Sequence, residues 1–432
     1  MVSSAYKHGP FIIYNLFPLL IDSVSQWESR LDHIAQMGFN WIYINPFHQT
    51  GFSGSLYSVK DYYEFDQRIR GCMSSKAAES VIRAFNKSAE ERGIRVMADL
   101  VINHTAIDCV LIDSHPQWYE YDQKGKIKNP CAKDGDRVVA VWGDLAEINN
   151  LNSSDRDNLW NYWHNLVYFF IDMGFSGFRC DAAYQVPSEL WKYLIQQAKQ
   201  KDDRFLFFGE TLGCSPKQTM EVVASGFDVI FNSSKYWDFK ETWCLKQYKQ
   251  TNPLVPSVSF PESHDTQRLA KDLNCNWDRV KLRCLFAAIF SAGFMIPIGF
   301  EYGFQKKLHV VKTSPQDWEY HGVDLSGFIA RCNQIKKDYY LFKFDSDIHQ
   351  IEIEYSDVVV FVKSASDTAD KALVIINDTR HYQEYYNSDL SGSVLKGCSK
   401  ITDISPDYPM ESIPNNFHYN LRPYQIKILY GT

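Results

Sequence analysis

Acidic, basic and imidazole side chains recur at four places where an extended apolar run gives out. The runs end Asp99-Leu100-Val101-Ile102-Asn103-His104, Gly177-Phe178-Arg179-Cys180-Asp181, Gly209-Glu210-Thr211 and Glu262-Ser263-His264-Asp265. If Asp181 and Glu210 close neighbouring strands, their carboxyl groups lie roughly 5 Å apart, because adjacent strands are separated by about 4.8 Å. That is the spacing of a retaining glycosidase pair, in which one carboxylate attacks the sugar and the other shuttles the proton. Arg179, two residues before Asp181 on the same strand face, would keep that carboxylate ionised, as a nucleophile requires. Glu210, crowded by Phe207, Phe208 and other acids, would hold its proton, as a general acid requires. Asp265 would then stabilise a cationic sugar. One acid after a strand is usually a helix cap or a solvated loop; four such strand ends argue for a site.

Side chains at four strand ends can meet only on a scaffold that gathers those ends on one rim. Segments 11–17, 39–45, 94–101, 175–181, 205–211, 227–231, 257–264 and 294–300 read as strands. Segments 25–37, 77–92, 155–173, 187–200, 216–224, 235–249, 277–292 and 325–341 alternate with them and carry helical spacing, several stopping at glycine. Eight strand–helix units predict a closed (β/α)8 TIM barrel, which carries its active site at the carboxyl ends of its strands. No GxGxxG or GxxxxGK[ST] loop supports the rival doubly wound sheet. The connection from the third strand to its helix is about fifty residues long, enough for an inserted subdomain. Beyond residue 344 the helical period disappears. Runs at 348–355, 358–363, 371–377 and 425–430 predict an antiparallel β-sandwich. The expected division is 1–104 with 152–344 for the barrel, 105–151 for the insertion and 345–432 for the β domain.

Composition limits the alternatives. The 432 residues are 45% hydrophobic and 22% charged, which is globular. The net charge of −7 and the lack of a basic block argue against nucleic acid as a partner. Aromatic residues reach 15%, which fits a bulky core or a groove that stacks sugar rings. The ten cysteines form no CxxC pair and suit reduced thiols in a cytoplasmic setting. Cys180 reads as a small residue packed behind the site. The apolar run near the start, 11–20, reads as a strand rather than a signal peptide, and 285–300 is too short and broken to span a bilayer.

The four motifs together resemble the α-amylase family, glycoside hydrolase family 13. Asp99–His104 is similar to its DxxxNH motif, Gly177–Asp181 to GxRxD, Glu210 to its lone acid, and His264–Asp265 to its HD pair. Trp142-Gly143-Asp144-Leu145 falls late in the insertion that the family calls domain B. The resemblance implies Asp181 as nucleophile, Glu210 as acid/base and Asp265 as transition-state stabiliser. It implies sugar contacts for Arg179, His104 and His264, a stacking role for Tyr57, and a subsite role for Arg268. An α-glucan or maltooligosaccharide is the implied substrate, and hydrolysis and transfer, including a maltosyltransferase-like branch, share the same intermediate. A non-catalytic glycan-binding or scaffold barrel is the alternative from another class. The sequence also departs from the family. Ser263 stands where Asn is usual, and Tyr184 and Gln185 replace a Lys-His pair that supplies a calcium ligand. No cofactor is expected, Asn103 and Asp144 being oxygen ligands only if calcium is present. No aromatic pair in the β domain marks a starch-binding surface.

Overall fold

Near-continuous apolar strands need cover on both faces, and a closed parallel barrel ringed by helices supplies it. The computed structural model describes residues 9–134, 137–353 and 357–432, with backbone alone for 132–134, 137 and 139. Strands β1 (Phe11–Leu16), β2 (Trp41–Ile44), β3 (Arg95–Leu100), β4 (Gly177–Cys180), β5 (Leu206–Glu210), β6 (Val229–Phe231), β7 (Ser257–Ser259) and β8 (Gly293–Pro297) pair in parallel in chain order, and β8 closes onto β1. Eight helices separate and follow them: α1 (Leu31–Gln36), α2 (Ser75–Glu91), α3 (Arg156–Asp172), α4 (Ser188–Lys201), α5 (Pro216–Ala224), α6 (Trp243–Thr251), α7 (Trp277–Phe290) and α8 (Ser326–Asp338).

Alternation along the strands sorts the core into two layers. Phe11, Ile13, Trp41, Tyr43, Leu206 and Phe208 fill the barrel lumen. Ile12, Tyr14, Ile42 and Phe207 turn outward under the helices. The lumen packs edge to face, Phe208 lying 5.4 Å from Phe11 and 5.2 Å from Trp41. Many of the aromatics therefore belong to the core. Gly177 opens β4 because a Cβ there would lie 2.5 Å from the Leu206 carbonyl oxygen.

The helix expected over 235–249 starts only at Trp243. The chain before it buries Trp237 and Phe239, with Phe239 left-handed at φ 69°, and this breaks the helix. The segment expected at 25–37 enters α1 through two 3₁₀ turns.

Between β3 and α3 the chain forms two antiparallel pairs, His104–Ala106 with Leu145–Glu147 and Cys131–Asp134 with Arg137–Val141. Between β2 and α2 it forms a ribbon of His48–Thr50 and Val59–Phe65. After α8 come β9 (Asp347–Ile351), β10 (Val359–Ser364), β11 (Lys371–Asn377), β12 (Gln383–Asn387), β13 (Ile401–Asp403), β14 (Phe417–Leu421) and β15 (Gln425–Gly431). The expected strand at 348–355 ends at Ile351, and 354 and 355 lie outside the described residues. An antiparallel sheet β9-β10-β11-β15-β13 faces the pair β12-β14 across buried Leu373, Tyr385, Phe417 and Leu429. Buried charges join this layer to the barrel. Lys363 donates to the carbonyls of Ile289 and Phe290 at 2.8 Å, and Asp345 accepts from the Ser257 amide at 3.0 Å.

Candidate active site

The carboxyl ends of β3, β4 and β5 bring three acids around one guanidinium. Arg179 Nη1 donates to Asp99 at 3.0 Å and to Asp181 at 2.7 Å, and its Nη2 lies 2.7 Å from Glu210. Asp181 and Glu210 are thus held at the width of one guanidinium group, as expected for neighbouring strands that pair in register from Gly177 with Leu206 to Cys180 with Gly209. Glu210 is fixed a second time, because the Ala182 amide donates to its Oε2 at 2.8 Å. Ala182 reaches it by adopting a left-handed backbone with φ 40°, a strained turn directly after Asp181.

Arg179 acts on Asp181 in the direction expected from the sequence, and burial opposes it. Burial raises the Asp181 carboxyl well above its ordinary range; Arg179 lowers it, and Glu210 and Asp99 raise it again. Arg179 is thus the group that favours the ionised form of Asp181 against its burial. Burial raises Asp99 as well, and Arg179 lowers it, so the two aspartates share one cation and their titrations are linked. Burial opposes the charge on Arg179, but Asp99 and Glu210 hold it well above the usual guanidinium value.

Tyr57, Tyr43 and His264 form the wall beside this cluster. Tyr57 donates to Asp99 at 2.7 Å and lies 2.7 Å from His264 Nε2, their rings stacked at 5.7 Å and 6°. Tyr43 donates to the same Asp99 oxygen at 2.5 Å, and Asn45 donates to both tyrosine oxygens at 3.0 Å. Burial lowers His264 to about 3 and His104 to about 4, so both imidazoles are neutral near pH 7. His264 Nε2 lies 3.1 Å from Asp265, whose side chain is 46% exposed at the lip of the cleft. Ser263 accepts from the Asp265 amide at 3.3 Å, so the residue that replaces Asn turns the loop. His104 sits beneath the wall, its Nε2 3.1 Å from the Tyr57 carbonyl oxygen. Cys180 is fully buried behind the site, and burial pushes its thiol up. Tyr43, Asn45 and the Ala182 turn were not singled out in the sequence; the polar end of the 39–45 strand run was the available signal.

Arg268 is not where the subsite role would put it. Its side chain is 1% exposed, pairs with Glu262 at 2.8 Å and donates to the carbonyls of Ile298 at 2.8 Å and Lys306 at 3.2 Å. Every donor nitrogen faces protein, so Arg268 braces the loop after β7 instead of lining the cleft.

The calcium ligands do not converge either. The Asn103 carbonyl accepts from the Ile148 amide, while the Asp144 carbonyl accepts from the Ile107 amide. Asn103 and Asp144 therefore sit four positions apart along one ladder, roughly 13 Å at about 3.3 Å per residue. Their side chains cannot share an ion that takes oxygen at about 2.4 Å. The Asn103 Nδ2 donates to Gln185 at 2.9 Å, while its buried Oδ1 has no hydrogen-bond partner among the described residues. Among the described residues no group of three or more His, Cys, Asp or Glu side chains is placed to hold a metal ion.

Comparison with known proteins agrees with this architecture. Residues 12–124 match the family profile of the glucanotransferase domain of glycogen debranching enzyme. An α-1,4-glucan:maltose-1-phosphate maltosyltransferase of Burkholderia pseudomallei is 24% identical over 80% of this chain and 30% of its own length. Alpha-amylase 2 of Dictyoglomus thermophilum is 25% identical over 87% of this chain and 68% of its own. The chain thus spans about a third to two thirds of these relatives. The crystal structure of an α-amylase from Lactobacillus plantarum superposes with a TM-score of 0.77 at 19% identity, covering 98% of this chain and 99% of that one. The likeness to the α-amylase family carried by the sequence motifs is borne out, as is the barrel with its insertion and antiparallel C-terminal sheets.

Proposed function

We propose that this chain, with its α-amylase-family likeness, is a retaining enzyme of α-linked glucans that hydrolyses α-1,4 bonds of maltooligosaccharides. The observation that carries the reading is Arg179 bridging Asp181 and Glu210 on adjacent strand ends, beside Asp99 and below Asp265. In the first step Asp181 attacks the anomeric carbon while Glu210 protonates the departing glycosidic oxygen. The sugar is left esterified to Asp181, and Glu210 is left as a carboxylate. In the second step Glu210 takes a proton from water, which displaces Asp181 and restores the starting state. Asp265 faces the positive charge that develops on the sugar. Arg179 and Asp99 set the charge balance of the pair. Tyr57 and the neutral His264 wall the reacting subsite, His104 supports Tyr57 from beneath, and Arg268 takes no part in sugar binding. No step uses a metal ion.

Transfer to a sugar or phosphate acceptor differs only in what reaches the intermediate second. The exposed Tyr184, next to Gln185 beside Glu210 and Asp181, supports that reading by giving the acceptor side an aromatic edge. The maltosyltransferase likeness points the same way. We assign 1–104 and 152–344 to the catalytic barrel, 105–151 to the inserted domain and 345–432 to the C-terminal β domain. The ten free cysteines support the cytoplasmic setting; among the described residues no helix is long and apolar enough to cross a membrane.

The test is incubation with maltoheptaose, with and without glucose or phosphate, and resolution of products by mass and anomeric form. Short α-anomeric products from water alone establish hydrolysis; longer chains or a maltosyl phosphate establish transfer. Asp181→Asn should reduce either by about 10³-fold or more. No product from the parent protein with any α-glucan refutes the reading and favours a binding barrel.

A further inference from the structure

An open cavity of about 200 Å³ lies between α7 and α8 of the barrel and the turns of the C-terminal sheet, away from the catalytic acids. Its barrel side is formed by Leu282, Leu285 and Phe328, with Asp278 and Lys281 of α7 beside them. Tyr382, Tyr408 and Tyr424 form the facing side. Tyr382 is 61% exposed and Tyr408 58%, although such rings normally carry their apolar faces inside a protein.

The backbone holds two of these rings at a cost. Among the described residues only six non-glycine positions have positive φ, and two of them, Tyr408 at 54° and Tyr424 at 55°, line this cavity. A bulky residue in that region is a true outlier, and such strain persists only where the surroundings enforce it. Here they do. The buried Lys427 donates to the Tyr408 carbonyl oxygen at 2.7 Å and pairs with the buried Asp403 at 2.6 Å. The Tyr424 amide donates to the Thr379 carbonyl at 3.3 Å. Cations then brace the rings, Arg422 at 4.0 Å over Tyr408 and Arg279 at 5.5 Å over Tyr424.

Charged groups rim the plates. Asp407 is held by Lys281 at 3.3 Å and Arg331 at 3.0 Å, while Asp278 is exposed and has no side-chain partner among the described residues. Rigid aromatic plates with carboxylate and guanidinium groups at their edge match a pyranose ring, which has an apolar face and a girdle of hydroxyls. We propose that this groove is a second carbohydrate site, which holds a short stretch of linear α-glucan outside the catalytic cleft. The ligand class rests on the α-glucan reading of the cleft. The placement supports it: α7 begins at the end of the barrel that carries the catalytic residues, so a chain held against its first turns lies on the same end as the cleft.

The experiment is native gel electrophoresis through soluble starch, run beside maltoheptaose turnover. The double variant Tyr382→Ala/Tyr408→Ala should lose at least about tenfold in starch retardation and keep kcat/KM for maltoheptaose within about twofold. Tyr382→Ser, at an exposed side chain, gives a second measure independent of any folding defect at Tyr408 and should weaken retardation in the same direction. Tyr382→Phe/Tyr408→Phe keeps the plates and should retain it. Unchanged retardation in the double variant and in Tyr382→Ser, with turnover intact, overturns the second site alone. A parent protein that neither cleaves nor is retarded by any α-glucan overturns the catalytic reading instead.

Discussion

His48 should make the ribbon that flanks Tyr57 labile to acid. The side chain is 3% exposed, its ring lies 5.5 Å from Phe47, 5.3 Å from Tyr62 and 5.5 Å from Phe170, and its Nδ1 has no partner. Burial lowers its pKa from 6.5 to about 4. A depressed native value means that the unfolded chain protonates first, so this contribution is complete above about 6.5 and is lost as pH falls toward about 4. Between about pH 7 and pH 5 the unfolded chain takes up about three quarters of a proton here and the native chain almost none. At about 1.36 kcal/mol per unit, stability falls by about 2 kcal/mol. His48→Phe removes the titration and keeps an aromatic ring among aromatic neighbours. Urea unfolding of parent and variant at the two pH values isolates the effect, because every other titrating group cancels in the double difference. The variant should gain about 2 kcal/mol on the parent in going from pH 7 to pH 5. Parallel pH dependences would refute the assignment of a buried neutral imidazole.

Three further outcomes follow from the site. Arg268→Ala should destabilise the fold by about 3–5 kcal/mol, since it leaves Glu262 buried without its cation; a raised KM with an unchanged melting midpoint would instead put Arg268 against the substrate. Glu262→Leu in that background should recover much of the loss, as an apolar replacement of a buried pair does. Chelation with EDTA should leave turnover and melting midpoint where they were, and loss of either with recovery on added calcium would show ligands that the ladder geometry does not bring together.

The barrel was legible because its strands are apolar on both faces and its helices stop at glycines such as Gly38, Gly93 and Gly174, all left-handed here. Asp181 and Glu210 were legible because they stand at the ends of such strands, and Asp265 because it sits in the loop that follows one. What escaped depends on partners distant in sequence. Strands β12 and β14, QEYYN and FHYNL, pair with each other, and their buried contacts at Tyr385, Phe417 and Leu421 are too few to make a strand pattern. The position of Arg268 three residues after Asp265 could not show that its guanidinium turns inward to Glu262. Tyr382 and Tyr408 lie on separate turns, and only the folded C-terminal layer makes them one wall.

The closure of β1 onto β8 also sets a timetable for biosynthesis. Phe11 pairs with Gly293 and Asn15 with Pro297, so the first strand finds its last neighbour only when almost three hundred residues have been made. At about 5–20 residues per second that is roughly 15–60 s. Throughout that interval FIIYNL, buried at every position in the finished protein, has one strand edge unpaired. Asp181 and Glu210 leave the ribosome well before Asp265 and the closing strand, so the nascent chain carries its acids before it has a cleft. Holding that apolar strand until the ring can close is a task for a chaperone or for the early β1–β2–β3 layer, and a stall before residue 293 leaves a chain prone to aggregation through its open edge.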